Sequence, residues 1–136
     1  MRDTNKPDAA TLAVWAGEET RSPLGTTQVP IAQSVGFGYP DFATWREVAL
    51  GRRPGHIYSR NTNPTVAAFE AKVAALEGAP AAVAFASGMA AISNTLLALL
   101  RPGGRVVSIF DTYGGTNQLF REFLPAFRIA VTLCDT

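Results

Sequence analysis

Ala81-Ala82-Val83-Ala84-Phe85-Ala86-Ser87-Gly88-Met89-Ala90-Ala91-Ile92 decides how the rest of the chain is read. Its opening residues, Ala81 to Phe85, are uninterruptedly apolar and lie between a Gly/Pro break and Ser87-Gly88, the pattern of a compact buried strand. From Gly88 to Leu100 the side chains are apolar almost all round, which predicts a helix enclosed on several sides. Residues 78–100 carry no charge, and roughly 20 apolar residues suffice to span a bilayer. Pro80, Ser87, Gly88, Ser93, Asn94 and Thr95 split the run into two shorter elements, so a buried strand followed by a buried helix is the better reading.

Downstream, Pro102-Gly103-Gly104 turns the chain into a second strand over residues 105–110. A helix over 115–123 and a third strand over 128–133 follow. Strands alternating with helices argue for parallel pairing through right-handed crossovers, hence a layered α/β fold. The third strand lies next to Asp135-Thr136; unless it is a natural edge, its unpaired backbone groups invite a partner or aggregation. Upstream, Asn63 and Pro64 start a helix and Gly78 stops it, with Val66, Phe69, Val73 and Leu76 as its predicted buried stripe. Residues 41–50 read as a short helix with Asp41 as N-cap and Gly51 as stop, and residues 52–56 as a loop. Residues 1–40 are rich in breakers (Pro23, Gly25, Pro30, Gly36, Gly38, Pro40) and form an arm rather than a core. No internal repeat is visible.

With 136 residues, 47% of them hydrophobic and 17% charged, the chain is one domain's worth of globular protein. Twelve basic against eleven acidic side chains leave a formal charge of +1, so no bulk field favours nucleic acid or an anionic membrane. The single cysteine, Cys134, makes no internal disulfide. The opening Met1-Arg2-Asp3-Thr4-Asn5-Lys6-Pro7-Asp8 lacks the apolar run of a secretory signal, so a cytoplasmic setting is expected.

Three groups of residues invite chemistry. In an extended segment Tyr58 and Arg60 would face one side, and a guanidinium offers planar donors that match phosphate oxygens. An isolated Tyr-x-Arg is more often a solvated surface pair; the longer string Tyr58-Ser59-Arg60-Asn61-Thr62-Asn63-Pro64-Thr65 shifts that balance. Ser87, Gly88 and Met89 at a strand-to-helix junction present free amides and the positive end of a helix dipole to an anion, although a bare Ser-Gly is also any tight βα turn. Tyr113, just past a strand, lies where ligands gather in α/β sheets, and either stacks on a flat ring or merely packs. His56 has no cysteine or carboxylate at ligand spacing, so no zinc site is expected. Lys72 reads as a solvated helix residue and Cys134 as an inert thiol. No G-x-G-x-x-G or P-loop string follows a strand, which disfavours a plain nucleotide-binding domain.

Tyr58–Thr65, Ala86-Ser87-Gly88-Met89-Ala90-Ala91-Ile92 and Asp111-Thr112-Tyr113-Gly114-Gly115-Thr116 together resemble the Cys/Met-metabolism (transsulfuration) family of pyridoxal 5'-phosphate (PLP) enzymes, from about Thr11 onward. The resemblance implies the N-terminal portion of a fold type I, aspartate aminotransferase-like large domain, mainly a parallel sheet with flanking helices. Residues 1–40 would pack on a neighbouring subunit, burying Val29, Ile31, Val35 and Phe37, and residues 41–136 would be the first part of the PLP-binding domain. By the same resemblance, Tyr58 and Arg60 reach the phosphate of a neighbour's cofactor, and the amides of Gly88 and Met89, beside Ser87, hold that of their own subunit. Tyr113 lies over the cofactor ring as proton shuttle, with Tyr58 helping to set its ionisation.

Family members tether the cofactor through a lysine much further along, whereas this chain's lysines are Lys6 and Lys72, neither in such a context. The lysine and the acid near the pyridine nitrogen are therefore expected from a C-terminal segment or a second chain, and the chain alone should be inactive. Dimers or tetramers with shared sites, an amino-acid substrate, and neither nucleic acid nor membrane as partner follow from the likeness. The implied reaction is loss of a γ-substituent from an amino acid. Replacement by a thiol or sulfide gives a synthase or sulfhydrylase, and release without replacement gives a lyase. Methionine gamma-lyases typically carry cysteine where Gly115 stands, so the likeness leans to gamma-replacement on an O-acyl-homoserine. A non-catalytic subunit of the same fold is the rival. Trp15 departs from a frequent family histidine, with no chemical consequence drawn.

Overall fold

The computed structural model describes residues 7–17 and 25–135; residues 1–6, Lys6 among them, Pro23 and Thr136 lie outside them. The chain divides into two compact units, Met1–Ala84 and Phe85–Thr136.

In the first unit each helix starts where a short polar side chain can accept a free amide. Helix α1 (Ala9–Trp15) is capped by Asp8, whose Oδ1 accepts from the Thr11 N–H at 2.7 Å. Helix α2 (Phe42–Ala49) is capped by Asp41, which accepts from the Thr44 N–H at 2.7 Å and from the Thr44 hydroxyl at 3.0 Å. Helix α3 (Pro64–Glu77) begins behind Asn63 and ends on Gly78, left-handed at φ 64°, as the sequence predicts. The end of α1 approaches α3 so closely that a side chain on Gly17 would run into the Ala68 carbonyl. Lys72 joins the same contact, donating from Nζ to the Val14 carbonyl at 3.1 Å; it is a helix-to-helix tie rather than a purely solvated residue. Part of the arm runs antiparallel to residues 57–59 of its own unit, with bonds from Phe37 N–H to Ile57 O at 3.0 Å and from Ser59 N–H to Val35 O at 2.8 Å.

The predicted buried stripe of α3 is a correction. Val66, Phe69 and Leu76 are exposed and Ala74 is the buried residue. Alanines let backbones approach, so the close-packed side of α3 is its small-residue side, and the large side chains point where this unit offers no cover. The predicted strand over 81–85 also lacks a ladder: its half-buried and exposed residues alternate, but no element pairs with it among the described residues. Apolar content qualifies a segment for a sheet; only a neighbour's backbone makes it a strand. Here the Ala84 N–H donates to Glu70 Oε1 at 2.8 Å instead.

The second unit is a right-sized βαβ element preceded by a helix. Helix α4 (Gly88–Leu99) leads to strand β1 (Arg105–Ile109), which pairs in parallel with β2 (Ala130–Cys134), Arg105 opposite Ala130 through Ile109 opposite Cys134. The crossover comprises α5 (Gly114–Gln118), a π turn (Leu119–Phe123) and the short α6 (Leu124–Ala126). Helix therefore continues past the predicted end at 123. Pro125 has no N–H and its ring collides with the carbonyl four residues back; the wider turn just before it, with Leu124 N–H bonded to Leu119 O, carries the helix into the proline. Strand β2 begins at 130 rather than 128 because Arg128 takes φ 60° and its carbonyl accepts from Gly103 N–H at 2.8 Å.

Leu119, Phe120, Leu124 and Ile129 form the core, with Met89, Leu96, Leu100, Val106, Val131 and Leu133 packed against it. Leu124 is wholly buried at 0% exposure. The expectation that α4 is enclosed fails for the described residues: none of its residues is fully buried, and Ile92, Leu97 and Leu99 face outward. One flank of α4 meets the core; the other apolar flank is uncovered. The outer sheet face, with Val107 and Ile109, is likewise exposed. Among the described residues no helix is long and apolar enough to cross a membrane.

Candidate functional site

Tyr58 and Arg60 come together, though not by the extended geometry expected. Residues 58–61 form a turn in which the Asn61 and Thr62 N–H groups both donate to Tyr58 O, at 2.9 and 3.1 Å. The turn folds the arginine back over the tyrosine, with Cζ 5.0 Å from the ring centroid. A guanidinium on an aromatic face is held in orientation while its N–H donors stay available. Both residues are exposed, and Arg60 has no carboxylate partner among the described residues. The result is a fixed, solvent-facing set of cationic donors.

At the start of α4, Ser87 Oγ accepts from Ala90 N–H at 3.1 Å, and Ser87 O accepts from Ala91 N–H at 3.0 Å. Ser87 is therefore the N-cap, with its own hydroxyl hydrogen left to donate. The amides of Gly88 and Met89 keep no partner, and nothing lies within 4 Å of where a Gly88 side chain would start. Two unpaired amides and the positive end of a helix of this length are the features that an anion site uses.

Tyr113 sits beyond the carboxyl end of β1, at the entry to α5, with 77% of its surface exposed. The buried Thr116 donates from Oγ1 to Met89 Sδ at 3.4 Å, so the first turn of α5 rests on the first turn of α4. A side chain on Gly115 would begin 3.2 Å from Tyr113 Cε1 and 3.3 Å from Met89 Sδ. Glycine there gives the tyrosine ring its place. Asn117 secures the loop between β1 and α5, donating from Nδ2 to Phe110 O at 3.1 Å and to Thr112 Oγ1 at 3.4 Å. Thus Ser87, Gly88 and Met89 gather with Tyr113 in the second unit, and Tyr58 with Arg60 in the first.

The remaining candidates stay outside this chemistry. His56 has its backbone O and N–H engaged by Tyr39 Oη at 3.0 and 3.1 Å, its ring against Phe37, and its buried Nδ1 unpaired. Among the described residues no three His, Cys, Asp or Glu side chains cluster as metal ligands. Cys134 is an exposed free thiol. Sequence reasoning missed the tethering work of Ser59, Thr65, Thr116 and Asn117. Ser59, Thr65 and Thr116 stood inside the quoted motifs, but polar side chains in a motif do not announce which backbone they will bind.

Residues 10–136 match the family described as "Cys/Met metabolism PLP-dependent enzyme". The chain belongs to this family. It is 40% identical over 136 residues to the L-methionine gamma-lyase of Pseudomonas putida, covering 99% of this chain and 34% of that protein. It is also 40% identical to the O-succinylhomoserine sulfhydrylase of Pseudomonas aeruginosa, over 89% of this chain and 30% of that protein. The crystal structure of cystathionine gamma-lyase from Lactobacillus plantarum complexed with L-serine superposes with a TM-score of 0.79 at 34% identity, over 95% of this chain and 31% of that one. The chain thus spans about a third of the length of the Cys/Met-metabolism proteins it matches. Its α/β fold is that of a fold type I large domain, and the family's chemistry at this level is PLP-dependent synthase, lyase or sulfhydrylase chemistry.

Proposed function

We propose that this chain supplies the phosphate anchors and the ring-facing tyrosine of a PLP enzyme acting at the γ-carbon of an amino acid. The observation that carries this reading is the pair of unpartnered amides, Gly88 and Met89, at the open start of α4. Gly88, Met89 and the Ser87 hydroxyl hold the phosphate of their own subunit. Tyr58 and Arg60 serve the phosphate of a neighbouring copy, so the working form is a dimer or tetramer with shared sites. Bound PLP supplies an electron sink that acidifies the α-carbon of an amino acid. Tyr113 Oη then carries a proton between the substrate's carbons and its departing γ-group, and its exposure leaves the phenol accessible. A C-terminal segment or a second chain brings the tethering lysine and the acid facing the pyridine nitrogen, and without it this chain is inactive.

Gamma-replacement on an O-acyl-homoserine is the preferred reaction. Gly115 is the residue behind this preference, because the methionine gamma-lyases that the chain resembles typically carry cysteine at that position. Gamma-lyase activity is the second reading, favoured by the 40% identity to a methionine gamma-lyase. Intact mass of the purified protein with everything that co-purifies, together with its visible spectrum in PLP, tests the proposal. The expected result is a companion or longer polypeptide bearing the lysine, cofactor absorbance, and turnover of an O-acyl-homoserine with a thiol. A protein that takes up no cofactor with any companion is instead a non-catalytic subunit.

A further inference from the structure

Asn63 is only 8% exposed, and both ends of its amide are used. Oδ1 accepts from Thr65 N–H at 2.9 Å and Val66 N–H at 3.4 Å, the ordinary work of a helix cap. Nδ2 donates to Ala32 O at 2.9 Å and to Ser59 Oγ at 3.2 Å, which capping does not require. Two residues on, Thr65 Oγ1 accepts from Ala32 N–H at 2.9 Å and donates to Pro30 O at 3.0 Å. Both main-chain groups of Ala32 are therefore satisfied by side chains from the start of α3, as a neighbouring strand would satisfy them. Ser59, between Tyr58 and Arg60, completes the clip: its hydroxyl donates to Ser34 O and its N–H to Val35 O.

Resting on the phosphate-anchor reading above, the geometry points to Asn63 and Thr65 as positioning residues that hold the turn bearing Tyr58 and Arg60 by pinning it, through Ser59, to the arm at residues 30–35. Besides the clip, the turn has its own two bonds to Tyr58 O and the Phe37–Ile57 bond, and Gly36 opposite Tyr58 is an isolated bridge rather than part of a ladder. A guanidinium on an untied turn would have to be ordered at the moment of binding, which weakens affinity. The clip orders it beforehand. The N-P-T string thereby joins helix start, arm and anion donors in one network.

The test uses the 136-residue chain with every polypeptide that co-purifies with it, and PLP against phosphate-free pyridoxal as probes. Asn63→Asp keeps the cap but removes the Nδ2 donor; Thr65→Val keeps the shape but removes both hydroxyl bonds; Thr65→Ser restores them. Asn63→Asp and Thr65→Val should each weaken PLP binding about tenfold, leave pyridoxal binding unchanged, and speed hydrogen exchange at the Ser59 amide, while Thr65→Ser keeps PLP binding and Ser59 exchange as in the parent chain. Adding either change to Arg60→Ala should cost nothing further, because the clip acts through that guanidinium. Unchanged Ser59 exchange in Asn63→Asp and Thr65→Val overturns the inference while leaving the anchor reading intact. If Arg60→Ala itself leaves PLP affinity unaltered, the anchor reading fails and takes the positioning role with it, even where exchange at Ser59 rises.

Discussion

At the residue scale the most constrained position beside the start of α4 is Gly115. A Cβ at 3.2 Å from the Tyr113 ring and 3.3 Å from Met89 sulfur is tight enough that a neighbour must move. Gly115→Cys is expected to displace the tyrosine ring by a few tenths of an ångström, because overpacked sites relax by small shifts at a cost of about 1 kcal/mol. Tyr113 is exposed and gives way more easily than the partly buried Met89. On the proposed γ-carbon chemistry, and with the lysine-bearing companion present, the expected consequence is a shift in the ratio of elimination to replacement with little loss of thermal stability, measured as 2-oxo acid against thioether product from one O-acyl-homoserine. An unchanged ratio would show that this contact does not set reaction choice.

At the scale of single elements, the caps give a pH dependence whose sign is fixed. The Thr44 backbone amide, and then its hydroxyl, hold the Asp41 carboxyl below the usual aspartate range. A carboxyl with a lowered folded value stabilises α2 above its unfolded pKa, and that contribution disappears as pH falls through the folded value. The Thr44 amide resonance should accordingly titrate at a pH below that of a free aspartate, and Asp41→Asn should abolish the titration. The crossover carries the other element-scale prediction. Leu124 is fully buried between the π turn and the sheet, so Leu124→Ala should cost about 3 kcal/mol, read as a lowered denaturation midpoint followed through β1 and β2 amides.

Elements were legible wherever a local signal sufficed. Asp41, Asn63, Pro64 and Gly78 carry their caps in their own chemistry, and all act as read. The π turn was not legible, because it answers to Pro125 and to the core contacts of Leu119 and Phe120 rather than to periodicity. Nor was the missing ladder at 81–85, since an uninterrupted apolar run says that a segment wants cover and nothing about which backbone pairs with it.

At the scale of the whole molecule the uncovered apolar surface dominates. Ile31, Val35, Phe69, Leu99, Val107 and Tyr113 all stand exposed, and large apolar areas of this kind mark surfaces that bind other protein. Purified chain is expected to sediment as species larger than a monomer, at 14.4 kDa per chain; a monodisperse monomer at working concentration would argue that these side chains tolerate water. Family membership was legible from three short strings, each a specific run of residues rather than a periodic pattern. The misread stripes on α3 and α4 have the opposite cause: a hydrophobic pattern records that a face wants cover, and not which polypeptide supplies it.

The core residues Leu119, Phe120, Leu124 and Ile129 and nearly everything that touches them come from one uninterrupted stretch between Met89 and Leu133. The entropy of closing so short a chain is modest and grows only logarithmically with length. Once residues 89–133 have left the ribosome, every partner that packs on this core is therefore already present, so a nascent copy is expected to close it without waiting for later sequence.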